Sequence, residues 1–120
     1  MNRTLTNDEK TLLCWMLENG SSEAIDYLPQ IDLLEVSAWK CQCGCASVQF
    51  EMNGYKPPTG GLHPLAEFVF GSKEDCSGIF VYMQEGRLAG IEIYGLTGEA
   101  AKTLPKISEL KPWEDWSIKL

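Results

Sequence analysis

The chain is short of positive charge: ten lysines and arginines stand against seventeen aspartates and glutamates, a net charge of −7. Nucleic-acid backbones are held by cationic faces, so this balance argues against a nucleic-acid partner and suits a basic protein. It also lacks any apolar run near the roughly 20 residues of a membrane span. The opening Met1-Asn2-Arg3-Thr4-Leu5-Thr6 has no uninterrupted apolar stretch of the kind a secretory signal needs, so a cytoplasmic protein with no membrane partner is expected. Histidine occurs once, at His63. There is no Cys-x-x-Cys knuckle, no His-Glu-x-x-His, no phosphate-cradling glycine loop and no Gly-x-Ser-x-Gly. Without such a constellation the chain is not expected to be an enzyme.

What is present is cysteine, five in 120 residues, an odd number that in a reducing compartment means thiols or metal ligands rather than a disulfide framework. Cys41, Cys43 and Cys45 alternate. In an extended segment they would share one face, whereas Gly44 suggests a turn; either geometry converges thiolates on a soft metal. Cys76 or His63 would complete a tetrahedral zinc set. The missing knuckle spacing leaves two other readings open, small thiols packed at a strand turn and redox-responsive thiols beside a cation such as Lys40. Cys14, between Leu13 and Trp15, reads as a core or core-edge residue. A pairing of His63 with Cys45 or Cys76 as a nucleophilic site is a third possibility, which needs a cleft uniting them.

Hydrophobic patterning sets the elements. Thr6 and Glu9 form a capping-box pair, and Leu12, Leu13, Met16 and Leu17 follow at helical spacing, with Gly20 expected as a left-handed stop. Ser21 or Ser22 is expected to cap a short second helix through about Tyr27, ended by Pro29. From Leu34 the period becomes two: Leu34–Ala38 and Val48–Met52 read as strands, Asn53-Gly54 as a turn, and residues 54–64 as a Pro/Gly-rich loop. Leu65–Phe70, Gly78–Gln84 and Leu88–Tyr94 are three more strands, the last two joined by a Glu85-Gly86 hairpin turn. The tail, with Pro105, Pro112, Trp113 and Trp116, reads as irregular chain pinned by aromatics. Helices first and strands after predict one α+β domain over 1–120, an N-terminal helical hairpin packed on a meandering antiparallel sheet of about five strands.

Such a sheet offers a docking face. Carboxylates at Glu35, Glu51 and Glu92 would steer a basic partner, and Trp39, Tyr55, Trp113 and Trp116 would supply aromatic anchors.

Leu5-Thr6-x-Asp8-Glu9, Tyr27-Leu28-Pro29-Gln30, Cys41-x-Cys43-Gly44-Cys45-x-Ser47-Val48, Pro57-Pro58-Thr59-Gly60-Gly61 and Leu88-Ala89-Gly90-Ile91-Glu92-Ile93-Tyr94 span nearly the whole chain. With them it resembles a family of small uncharacterised bacterial proteins. The resemblance implies a stand-alone bacterial domain and carries over no activity or site residue. The leading expectation is a non-enzymatic protein-binding domain without cofactor, in its specific form an immunity protein that neutralises a toxin domain. The alternative is a zinc-binding or thiol-redox protein built on Cys41, Cys43 and Cys45, with Cys76 as a fourth ligand.

Overall fold

Residues 2–52, 54 and 61–113 are described by the computed structural model. The first helix, α1 (Asn7–Glu18), starts by the expected capping box: Thr6 Oγ1 accepts the Glu9 N–H at 3.1 Å and Glu9 Oε1 accepts the Thr6 N–H at 2.8 Å. The Glu9 carboxylate, only 6% exposed, also receives both guanidinium nitrogens of Arg3 at 2.8 Å. The Arg3 hydrogen bonds are the main reason its pKa lies below the ordinary carboxylate value, against the opposing effect of burial. Leu12, Leu13, Met16 and Leu17 are buried along one side, which at about 1.5–3 kcal/mol per side chain makes this stripe the main reason the helix docks. Trp15 adds a tilted ring contact with Phe68, centroids 5.1 Å apart.

Gly20 does not adopt the left-handed conformation expected of it. Asn19 caps the helix, and Gly20 is required by close approach: a Cβ there would stand 2.5 Å from the Leu65 carbonyl oxygen and 2.6 Å from Ala66 Cβ. The second helix differs too. It is a 3₁₀ segment, Ala24–Leu33, that runs through Pro29 and has no side-chain cap from Ser21 or Ser22. Short i→i+3 turns tolerate a missing N–H better than an α-helix does, so proline interrupts the bonding without ending the segment. Its Gln30 amide accepts the Leu88 N–H and donates to the Gly86 carbonyl, both at 2.9 Å, and so clamps the adjacent hairpin.

The sheet has six strands, one more than expected: β1 (Arg3–Thr4), β2 (Leu34–Val36), β3 (Val48–Met52), β4 (His63–Gly71), β5 (Cys76–Gln84) and β6 (Arg87–Gly95). All neighbours are antiparallel, in the order β1-β2-β3-β6-β5-β4, so the α+β class and antiparallel sheet are as expected. The added strand is β1, whose two residues are too few to show a period. β2 stops at Val36, short of the expected Ala38. At the β5–β6 turn Glu85 and Gly86 both have positive φ, 51° and 75°, the geometry of a two-residue hairpin matched to strand twist.

Val36, Phe50, Ile79, Val81, Ile91 and Ile93 join the helix stripe in one core. Phe80, Tyr82 and Tyr94 form a chain of ring contacts on strands β5 and β6, with the Tyr94 hydroxyl bonded to Glu67. Burial, aided by nearby Glu92, pushes the Tyr82 pKa up to about 12. No helix among the described residues is long and apolar enough to cross a membrane.

Candidate metal and thiol site

Between β2 and β3 the chain leaves the sheet and carries the three alternate cysteines. The Gly44 N–H donates to the Cys41 carbonyl at 3.1 Å, closing a turn over Cys41–Gly44, and Gly44 takes φ of 82°, a conformation other residues adopt at a cost. The segment therefore turns, as Gly44 suggested, and the turn replaces strand alternation as the means of convergence. The Sγ atoms of Cys41, Cys43 and Cys45 all lie within 4.8 Å of one another. Cys41 and Cys43 sulfurs are 2.9 Å apart, and Cys43 Sγ accepts the Cys45 N–H at 3.4 Å.

Ser47 ties this turn to the sheet. β3 pairs with β6 through Val48 and Gln49, and where the backbone ladder ends the buried Ser47 hydroxyl takes over, accepting the Ile93 N–H at 2.8 Å. The same oxygen lies 3.3 Å from the Ile93 carbonyl and 3.1 Å from Cys45 Sγ. Its single proton serves either the carbonyl or a Cys45 thiolate. A second mooring is the Ala46 N–H, which donates to the Ala101 carbonyl at 3.0 Å.

The three thiols are electrostatically unequal. Burial resists ionisation of Cys45, but hydrogen bonds from the Ser47 side chain and backbone and from the other two thiols outweigh it, and its pKa falls below the ordinary thiol value. Cys41, whose proton is held chiefly by its contact with Cys43, rises to about 11. Of these two, Cys45 is the readier to ionise and Cys41 the slower to give up its proton. The turn opens onto a surface cleft of about 910 Å³ whose wall includes Arg3, Glu9, Lys40, Cys41, Cys45 and Lys102.

Other anticipated residues are dispersed. Cys76 is buried at the start of β5, where its N–H donates to Thr97 Oγ1 at 2.8 Å; it is not part of the thiol group, and burial raises its pKa. Cys14 is half-buried on α1, 3.7 Å from Glu18 Oε1. His63 begins β4, exposed, with its ring Nε2 in hydrogen-bond contact with the Glu23 carboxylate. It pairs in register with Met83, whereas Cys76 pairs with Gly71 at the other end of the same hairpin. Eight strand residues at about 3.3 Å each put roughly 26 Å between these positions, so no cleft unites His63 with Cys76.

Glu35 and Glu51 stand directly opposite each other on β2 and β3, with the Asn2 amide donating to both, at 3.3 and 2.9 Å. Glu92 faces Phe80 across β5 and β6, and partial burial raises its pKa. Trp39 is exposed in the loop after β2. Trp113 is half-buried on a groove with Trp15 and Phe68, on a different part of the surface from the acidic pair. Tyr55 and Trp116 lie outside the described residues. Sequence reading missed Ser47 and Lys102 as parts of the thiol site; a hydroxyl two residues beyond the last cysteine was a visible signal for the first, and nothing local signalled the second.

No family model, curated protein or solved structure matches the chain.

Proposed function

We propose that this protein binds a soft metal ion of the zinc class through Cys41, Cys43 and Cys45. The observation that carries the reading is the convergence of three sulfurs within 4.8 Å on one turn. A tetrahedral ion with metal–sulfur bonds of about 2.3 Å needs sulfurs about 3.8 Å apart. The Cys41–Cys43 pair, 2.9 Å apart, would open by about 0.9 Å, a side-chain rotation on an exposed turn. The depressed Cys45 pKa favours the thiolate that a metal requires, and Ser47, hydrogen-bonded beyond the ligand sulfur, orients it. Three protein ligands leave a fourth position for water or a small ligand, so the reading is of an open site rather than a closed structural knuckle.

Cobalt(II) titration tests it. The wild type should take up one equivalent with thiolate-to-metal charge transfer in the near ultraviolet. Cys41→Ser, Cys43→Ser and Cys45→Ser should each weaken that signal at least tenfold in affinity, while Cys14→Ser and Cys76→Ser leave it unchanged. A spectrum indifferent to the three loop cysteines contradicts the proposal.

A second reading, a docking site for a basic protein partner such as a toxin domain, is supported by one observation. Glu35 and Glu51 face each other on adjacent strands, and the Asn2 amide that bridges them is uncharged, so a cationic side chain from a partner would offset the like-charge pairing that Asn2 does not. Exposed Trp39, three residues beyond Val36, is the neighbouring aromatic anchor. A partner captured from the host by the wild type and lost with Glu35→Lys/Glu51→Lys supports it; equal capture by both proteins contradicts it.

A further inference from the structure

The cleft beside the thiols is cationic in an otherwise acidic protein. It takes four of the ten basic residues, Arg3, Lys40, Lys102 and Lys106, but only two of the seventeen acidic ones, Asp8 and Glu9. Arg3 and Glu9 neutralise each other. Lys40, Lys102 and Lys106 are exposed and make no ion pair among the described residues, which leaves three cations against Asp8. The Lys102 ammonium lies over the cysteine turn, 3.5 Å from where a Cβ on Gly44 would stand. Cys45 and Cys41 open on this cleft; Cys43 is not on its wall but its sulfur is within 4.8 Å of both others. A small molecule entering here meets positive charge and sulfur together.

We infer that the metal-free thiols exchange with a small anionic disulfide, of the class of oxidised peptide thiols bearing carboxylates, which docks its carboxylates on Lys40, Lys102 and Lys106 and reacts at Cys45. Cys45 is the entry point because it lines the cleft and its sulfur is 3.1 Å from the Ser47 hydroxyl, a donor to the attacking thiolate. In the first step the Cys45 thiolate attacks one sulfur of the disulfide RS–SR. The RS–SR bond breaks, a Cys45–SR bond forms, and RS⁻ leaves with the electron pair and is protonated by solvent. In the second step the Cys43 thiolate attacks the Cys45 sulfur and expels the other RS⁻, leaving a Cys43–Cys45 disulfide. Two cysteine thiols are oxidised by two electrons and one RS–SR is reduced to two RSH. This exchange does not depend on metal binding.

The test compares two disulfide reagents of opposite charge, oxidised glutathione and cystamine, on reduced, chelator-treated protein. Each rate, followed by intact mass, is divided by the rate of the same chain unfolded in urea, which cancels intrinsic reactivity. A protein of net charge −7 acting as a uniform field favours the cationic reagent. The cleft predicts the reverse, a preference of about tenfold for the anionic reagent that shrinks as salt is raised. The preference should disappear in Lys40→Glu/Lys102→Glu/Lys106→Glu and fall in the milder triple glutamine variant, both with unchanged circular dichroism since all three lysines are exposed. In Cys41→Ser/Cys43→Ser the mixed disulfide should accumulate on Cys45. A preference for cystamine, a ratio unmoved by either lysine variant, or adducts that form on Cys14 or Cys76 ahead of Cys45 would overturn the inference.

Discussion

Replacing Ser47 by alanine removes one oxygen and tests how the thiol turn is attached to the sheet. Ser47 is 4% exposed and Ile93 2%, so the Ile93 N–H that loses its acceptor has no water to turn to. An unsatisfied buried donor costs about 1–3 kcal/mol, while loss of the small hydroxyl volume and of the longer contact to the Ile93 carbonyl adds little. A destabilisation of about 2 kcal/mol follows. With a urea m-value of about 2 kcal/mol/M for a domain of this size, the unfolding midpoint should fall by about 1 M. Hydrogen exchange at the Ile93 amide should accelerate more than at Ile91, one pair along β6, whose ladder bonding is untouched. Cys45 also loses the strongest hydrogen bond favouring its thiolate, so its pKa should rise and its alkylation near neutral pH should slow. An unchanged midpoint with unchanged Ile93 exchange would refute the claim that this hydroxyl continues the β3–β6 ladder.

Glu9→Gln should destabilise by about 2 kcal/mol at neutral pH, from weakened charge-assisted bonds to Arg3, discounted because the Arg3 side chain is 45% exposed. Because the folded-state pKa of Glu9 is depressed, its contribution is complete above the unfolded carboxylate value and is lost as pH falls through the folded value; the gap between wild type and variant in denaturant midpoint should therefore close on acidification, and a gap constant down to pH 2 would contradict this. Gly20→Ala should cost about 2–3 kcal/mol, since the new methyl meets the Leu65 carbonyl and Ala66 Cβ; a thermal midpoint equal to wild type would show that α1 and β4 are less closely apposed. Phe50→Ala should cost about 3–5 kcal/mol from a fully buried ring on β3, read by denaturant titration, and a loss below 1 kcal/mol would contradict its place in the core.

Elements with a strong local signal were legible in the sequence. The capping box at Thr6 and Glu9, the apolar stripe of α1, the strand runs of β3 to β6 and the Glu85-Gly86 turn all depend on neighbours in the chain, and all are found. What was not legible depends on distant partners. β1 exists because Arg3 and Thr4 find Val36 and Glu35, Gly20 is a contact glycine because β4 passes it, and the 3₁₀ segment runs past Pro29 where Gln30 clamps Leu88 and Gly86. The thiol site divides the same way. Cys41, Cys43, Cys45 and the turning Gly44 are local and visible, whereas Cys76 was grouped with them on ligand type alone and lies apart. Of the cleft's lysines, Lys40 adjoins Cys41 and was visible, whereas Lys102 and Lys106 come from a segment distant in sequence that the Ala46–Ala101 hydrogen bond, rather than any motif, joins to the cysteine turn.

The central claim, that the three loop thiols form one metal site, is tested most directly by thiol protection on zinc binding. Zinc is titrated into the reduced protein, and alkylated cysteines are located by peptide mapping at each ratio. Protection should be complete at one equivalent and confined to Cys41, Cys43 and Cys45, with Cys14 and Cys76 alkylated in the folded protein at the same rates with and without zinc. Alkylation of the three loop cysteines at the same rate with and without zinc would contradict it.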